Sequence, residues 1–492
     1  MDINNGNMSS STEPTLKEKA AKGLFWGGIS NGAYQVLSAG FGIVLARILA
    51  AEDYGLVGML TIFTGIASNI INSGFSVALI NKQKATHEDY NAVFWFTVFS
   101  GFILYIILFF SAPLIARFFG RDELAALSRV IFFSFFITGI ATVPYTALLK
   151  QLLTKRQAII DISSLLLSSV IGVILAVMGF AYWALAIQSV VYISTFSILR
   201  CIFSPWRPTL HLNFRPLKEM LPFSIKIFFT GIFTTINANI FSIILGKFYN
   251  AEQLGIYSQG QKWMGLGQNF VRGMMNYVAQ PVLVQVQEDR ERQVAVLRKL
   301  IRFGAFVSLP LMLGLAFVGK EFILIAVGEK WLLSVPFLQL FCVWGAFAYL
   351  WDLFTNLIFS HQDSNTYMYT MILVGLLQLG VVIAMYPLGI YPMVIGYLFM
   401  YFIGLGIWQR RVYTLIGLRL KDILKDVLPY FLIMTGCFTI AWLMTRNIQN
   451  LYILLVSKII IVALLYILTM KYSRSIIFKE SMDYLKNVIS KK

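Results

Sequence analysis

Lys262 and Arg272 lie inside an otherwise uncharged stretch from Leu254 to Gln285, LGIYSQGQKWMGLGQNFVRGMMNYVAQPVLVQ. At about 100° per residue, Ser258, Gln261, Lys262, Gly265, Gln268, Asn269, Arg272, Asn276 and Gln280 share one face, within an arc of roughly 120°. Trp263, Met264, Leu266, Phe270, Val271 and other apolar residues cover the rest. The chemistry such a face can do is binding. Its amides and hydroxyls can hydrogen-bond a sugar, and its two cations can meet a phosphate, the arginine in bidentate geometry. Facing lipid, each charge would cost about 2.5–3.5 kcal/mol at the centre of a membrane helix. The stripe therefore faces a wet cavity, or its cations snorkel or pair with an acid elsewhere, for which Asp352 is the evident candidate.

The elements that position this stripe are membrane helices. The chain has 492 residues, of which 58% are hydrophobic and only 13% charged, and a mean hydropathy of +0.73. A soluble domain carries about 25% charged residues. The apolar runs are the length of spanning helices, longer than the alternating segments of a β-barrel. We expect an all-α integral membrane protein with about fourteen transmembrane helices: two pseudo-symmetric six-helix bundles plus two C-terminal helices. Span nine is the least clean, because Lys320 and Glu321 interrupt it.

Net charge is +17. With both termini in the cytoplasm, 29 of the 40 Lys and Arg fall in inside connections and tails, eight fall outside, and Lys262, Arg272 and Lys458 lie within spans. This positive-inside split explains the charge without nucleic acid. Cys201, Cys342 and Cys437 are scattered, and the three histidines have no ligand spacing, so neither a disulfide framework nor a metal is expected. The Ser-rich residues 1–22 lack the apolar core of a signal peptide and read as a cytoplasmic tail.

An internal repeat divides the chain. Leu45–Leu56 (LARILAAEDYGL) and Leu245–Ile256 (LGKFYNAEQLGI) both read L-x-[RK]-x-x-x-A-E-x-x-G, and each joins the first and second spans of its half. A weaker echo pairs GVILAVMGFAYW at Gly172 with GVVIAMYPLGIY at Gly380. Duplicated six-span units imply two lobes about a pseudo-two-fold along the membrane normal, with a central cavity. The expected organisation is a tail 1–22, a lobe 23–205, a cytoplasmic linker 206–221, a lobe 222–415, two further helices in 416–470, and a basic cytoplasmic tail 471–492.

The first two spans of each half carry the polar faces. Span one brings Asn31 and Gln35, span two Asn69 and Asn72, span seven Asn237, and span eight Gln261, Lys262, Gln268, Asn269, Arg272 and Asn276. These, with Lys226 near the start of span seven, are the candidate substrate-binding residues, although Lys226 also suits an interfacial anchor. Arg47 and Lys247, at matched places in the repeat, suit the capping of helix C-termini better than chemistry. Lys458 should snorkel or meet a helix-end carbonyl. Asp352 is either an ion-coupling carboxylate or a structural ion-pair partner, and Asp161 sits near the cytoplasmic interface. There is no Walker loop, G-x-S-x-G, HExxH or loop acid pair, so neither an enzyme nor a cofactor is expected.

Four segments carry a family resemblance: LARILAAEDYGLVGML, GFSVALINKQKATHEDYNAVFW, LGKFYNAEQLGIYSQGQKW and GEKWLLSVPFLQLF. In these, in order and over most of the chain, the sequence resembles the Wzx-type polysaccharide flippases, MATE-like members of the multidrug/oligosaccharidyl-lipid/polysaccharide superfamily, and most closely their colanic-acid-exporter-like branch. The resemblance implies two six-helix bundles in a V, with a cavity lined by helices one, two, seven and eight. It also implies a substrate partner, an undecaprenyl-pyrophosphate-linked oligosaccharide moved across the bacterial inner membrane by alternating access for surface or exopolysaccharide synthesis. Lys262 and Arg272 would face the pyrophosphate. Membrane lipids and a polysaccharide polymerase are the other partners considered. Relatives that flip the peptidoglycan precursor carry arginines in the first helix, and span one here has none inside the membrane. Two other functions were weighed. A cation-coupled multidrug antiporter of the same superfamily would have twelve spans and acids in its cavity. A membrane glycan polymerase or acyltransferase would need a large outer loop or a catalytic His or acid pair.

Overall fold

A computed structural model describes residues 16–72, 74–82, 85–151, 153–361, 363–473 and 477–480. Among these there is no strand, as expected where backbone polar groups must be satisfied within each membrane-crossing segment. The first half holds α1 (Leu16–Ile48), α2 (Ala51–Met59), α3 (Thr61–Asn72), α4 (Phe75–Asn81), α5 (His87–Phe119), α6 (Glu123–Lys150), α7 (Thr154–Val177) and α8 (Tyr182–Phe203). The second holds α9 (Arg215–Ala238), α10 (Ile240–Phe248), α11 (Ala251–Gln285), α12 (Arg290–Phe317), α13 (Gly319–Ala326), α14 (Val335–Gly345), α15 (Ala348–Ser360), α16 (Ser364–Met385) and α17 (Ile390–Ile416). Two further helices follow, α18 (Leu420–Thr445) and α19 (Leu451–Tyr472).

Among the described residues, 11 helices are long and apolar enough to cross a membrane, or 12 if α9 and α10, bent by 42° at their junction, form one span. Apolar length alone thus falls short of the expected fourteen. The two missing spans, the first and eighth, correspond to α1 and α11. These have 33 and 35 residues, about 50 Å each at 1.5 Å per residue. The polar stripe lowers the hydropathy of α11, and the side chains of α1 are described only from Asn31 onward.

Two expected boundaries shift. Helix α1 already begins at Leu16, within the expected tail. Helix α9 begins at Arg215, inside the expected linker, because Pro216 suits a first helical turn, where no N–H is needed. The remaining connection is stitched to α5. Asn91 donates to His211 O and accepts from Thr209 N (3.0 Å), while Trp95 Nε1 donates to Thr209 O (2.8 Å).

The two copies of the repeat touch each other. Gly55 lies against the Ala251 carbonyl and Gly255 against the Ala51 carbonyl, so a side chain at either glycine would strike backbone. Each copy is a small-x-x-x-small pair, the spacing that lets membrane helices approach closely. Arg47 donates to Ile325 O (2.5 Å) and Ala326 O (2.7 Å) at the end of α13. Lys247 donates to Phe118 O at the end of α5. Both cations cap helix C-termini, as expected, and each caps a helix of the other half. Lys330 Nζ donates to Arg47 O (2.8 Å) and Leu49 O (2.7 Å), and Trp331 Nε1 to Ala46 O (2.8 Å).

The last helix is held by a different device. Lys458 Nζ lies 2.7 Å from Glu321 Oε1, with side-chain exposures of 10% and 8%. Lys458 therefore neither snorkels nor meets a helix-end carbonyl. Glu321, which seemed only to interrupt span nine, is its buried partner. Removing one member of such a pair strands a charge in a dry site. Glu321→Ala should cost about 3–5 kcal/mol and lower the melting temperature in detergent, whereas the apolar double variant Glu321→Leu with Lys458→Met should recover most of the loss. Equal melting temperatures for Glu321→Ala and the parent would refute a stabilising pair.

Candidate functional site

Helix α11 begins at Asn250, whose side chain accepts from Gln253 N at 2.8 Å, and it then runs unbroken to Gln285. Its polar face meets α1 at two places. Gly42 is packed against Lys262, where an added Cβ would come within 2.9 Å of Nζ. One full antiparallel step along, Gly273 lies beside Asn31, whose Nδ2 would be 3.6 Å from an added Cβ. The glycines let the two helices run close while leaving space for polar side chains.

The two cations of the stripe differ. Arg272 Nε lies 3.0 Å from Asp352 Oδ2 on α15, with the arginine 46% and the aspartate 16% exposed. Pairing, the alternative left open for Arg272, is thus realised, although the guanidinium keeps a solvent-facing side. Asp352, expected as an ion-coupling carboxylate or a structural partner, has one oxygen engaged. Lys262 has neither hydrogen bond nor ion pair among the described residues. Its Nζ is 5.5 Å from the Tyr54 ring centroid and 5.4 Å from that of Trp263. Cation–π contacts of this kind offset only part of the cost of removing an ammonium from water.

Along the same face Gln261 and Asn269 are exposed and Gln268 is half-buried. Across from them Asn31 is exposed and Gln35 half-buried on α1. Two other candidates are turned elsewhere. Asn69 donates to Thr235 Oγ1 on α9 and to Gly65 O (3.1 Å), and Thr61 shares a 2.9 Å hydrogen bond with Ser242 on α10. The polar faces of α3 and α9–α10 therefore join the halves. Asn237 donates to Gln378 Oε1 on α16, and its carbonyl accepts from Tyr397 OH on α17 at 3.2 Å. It lines a 170 Å³ cavity inside the second lobe, together with Thr234, Trp351, Gln378 and Tyr401. The Nδ2 groups of both half-buried amides are thus engaged by neighbouring helices, Asn69 by α9 and Asn237 by α16, while Asn237 Oδ1 has no hydrogen-bond partner among the described residues. The side chains of Asn72, Lys226 and Asn276 lie outside the described residues.

Sequence reasoning missed Tyr54 as a neighbour of Lys262 and the partners Gln378 and Tyr397. Tyr54 stands immediately before the repeat's glycine, so the small-x-x-x-small spacing inside the motif was the available signal. Gln378 and Tyr397 lie in apolar spans with no local pattern.

Comparison with known proteins bears on the same elements. A family model described as polysaccharide biosynthesis protein matches residues 44–336. The teichuronic acid biosynthesis protein TuaB of Bacillus subtilis is 27% identical over 334 residues, which are 68% of this chain and 69% of that one. The lipopolysaccharide biosynthesis protein WzxC of Escherichia coli is 23% identical over 342 residues, 67% and 68% of the two chains. Among solved structures, lipid II flippase MurJ in an inward closed conformation superposes with a TM-score of 0.72 at 17% identity, covering 93% of this chain and 99% of that one.

The unequal exposure of Arg272 and Asp352 predicts an order. Removing Arg272 strands the more buried carboxylate, whereas removing Asp352 leaves an arginine that solvent can still reach. Arg272→Ala should lower stability by about 1–3 kcal/mol more than Asp352→Ala, read as melting temperatures of the purified variants. The reverse order would refute this description of the pair.

Proposed function

We propose that this chain, which belongs to the polysaccharide biosynthesis protein family, is a flippase for a pyrophosphate-linked lipid oligosaccharide. In this reading an undecaprenyl-pyrophosphate-linked repeat unit enters from the cytoplasmic leaflet of a bacterial inner membrane. It leaves in the outer leaflet, where a polysaccharide polymerase would use it. Both termini are cytoplasmic, following the basic connections.

The observation that carries this reading is Lys262: a cation within a helix of spanning length, half-buried and without an acid among the described residues. An anion is the ligand such a site lacks. A pyrophosphate reaching Lys262 would also reach toward Arg272, whose exposed side remains open to it. Gln261, Gln268, Asn269, Asn31 and Gln35 offer neutral hydrogen-bonding groups to the sugars. In agreement, relatives are named for teichuronic acid and lipopolysaccharide biosynthesis, and the lipid II flippase has a similar fold.

The mechanism is alternating access between two lobes. The chain's residues bind and orient; they break no covalent bond. A drug antiporter that holds a cation needs free acid in its cavity, and Asp352, the acid of this site, already serves Arg272.

Two variants test the reading in cells that depend on this chain for surface glycan. Lys262→Ala removes the unpaired cation. Arg272→Gln with Asp352→Asn removes the second charge without stranding the first. Both should abolish glycan export while the protein remains at its normal level in the membrane. Normal surface polysaccharide in both would sink the assignment.

A further inference from the structure

The repeated motif L-x-[RK]-x-x-x-A-E-x-x-G contributes no group to the proposed binding face; its acid stays within a lobe, Glu52 pairing with Arg121, but its basic residues, alanines and glycines make contacts that cross between the lobes. Gly55 and Gly255 each pack against the backbone carbonyl of the opposite alanine. Arg47 of the first copy caps α13 of the second lobe, and Lys247 of the second copy caps α5 of the first. The arrangement is reciprocal, as a duplicated unit closed on itself must be. It lies at the end of the lobes opposite the basic connections.

We propose that the two motif copies are the two halves of the outer gate, one latch contributed equally by both lobes, which must part for the substrate to leave. This rests on the alternating-access reading and its orientation. The chemistry of the contacts suits a gate. Arg47 and Lys247 are exposed at the rim, so when the lobes part, water can hydrate both the cations and the carbonyls they release. The Glu321–Lys458 pair, buried at 8% and 10% exposure, could not separate so cheaply, and it ties helices of one side together. The glycine contacts are backbone against backbone, with no side chain to untangle.

The gate also touches the binding site. Tyr54, inside the first motif copy, presents its ring to Lys262 Nζ at 5.5 Å. The same ring packs edge-on against Trp331 at 5.4 Å, and the Trp331 indole donates to Ala46 O beside Arg47. The cation that meets the anionic group therefore shares a neighbour with the latch.

The test reads outward opening directly. In a chain with Cys201, Cys342 and Cys437 replaced by alanine, a single reporter, Gln261→Cys, is placed beside Lys262. A membrane-impermeant maleimide is then applied to the outer face of spheroplasts. The parent should label weakly. Gly55→Leu, Gly255→Leu, and Arg47→Ala with Lys247→Ala should each raise labelling by about tenfold, the scale expected for losing contacts of this strength. The exchange of Arg47→Lys with Lys247→Arg should keep labelling at the parent level, because either cation can cap a helix end. The rim variant Arg47→Ala with Lys247→Ala touches no buried packing, so it stays informative if a leucine variant fails to accumulate. Parent-level labelling of that rim variant at normal abundance would overturn the gate. Labelling needs no substrate. If the gate variants open while Lys262→Ala still exports glycan, the gate stands and the substrate assignment falls.

Discussion

The membrane interior offers a polar group no water, and the structure follows from how each such group finds a substitute. The three Lys and Arg residues within spans do so in different ways. Lys458 takes a buried carboxylate from Glu321, and the pair fixes α19 to the body. Arg272 takes Asp352 but keeps one side open. Lys262 has, among the described residues, only aromatic faces and a glycine. Among the described residues the three thus run from fully satisfied to unsatisfied, and the proposed binding role falls on the least satisfied. The amides follow the same logic: Asn69 and Asn237 are consumed by neighbouring helices, whereas Gln261 and Asn269 remain exposed.

Duplication explains the architecture, but the halves have diverged where function concentrates. Helix α11 is continuous over 35 residues. Its counterpart is divided into α2, α3 and α4, with Gly74 in a left-handed conformation at φ 73° before α4. Beyond Glu52 and Asp53 in the first turn of α2, the broken helix carries uncharged polar residues, and part of that polar face joins α3 to α9 and α10 through Asn69, Thr235, Thr61 and Ser242. The unbroken helix keeps Gln261 and Asn269 exposed and pairs only Arg272 of its described stripe, with Asp352. The site is thus asymmetric in charge and in rigidity, and the second lobe supplies both cations.

Much of this was legible in the residues, for reasons that differ by feature. Apolar length sufficed for the class, since a membrane helix must satisfy its backbone locally. The stripe on α11 was legible because period 3.6 places its residues on one face whatever surrounds them. Capping by Arg47 and Lys247 was legible from their position at helix ends, but not that each caps the other lobe, because sequence spacing carries no information on which helix comes near. The same limit hid Glu321 as the partner of Lys458 and Gln378 as the partner of Asn237. Pairing across more than a hundred residues is decided by packing. The linker was misjudged for a local reason: its Pro and charged residues read as loop, although Pro216 fits the first turn of α9.

Under the proposed function, the Arg272–Asp352 pair bears on how a site can both bind and release an anionic cargo. A site of free cations would hold a pyrophosphate tightly and surrender it slowly. A phosphate of the proposed substrate would meet an arginine that already has a carboxylate, so binding would exchange one anion for another and the net gain would be smaller than the contact itself. Translocation needs this balance, since a substrate must be held firmly enough to enter and loosely enough to leave. Displacement of Arg272 would also leave Asp352, 16% exposed, without its cation, a state that costs free energy and so favours re-forming the pair on release. What the structure shows of Asp352 is the structural role, as the partner of Arg272, and that pairing is what tempers the affinity of the arginine for any anion.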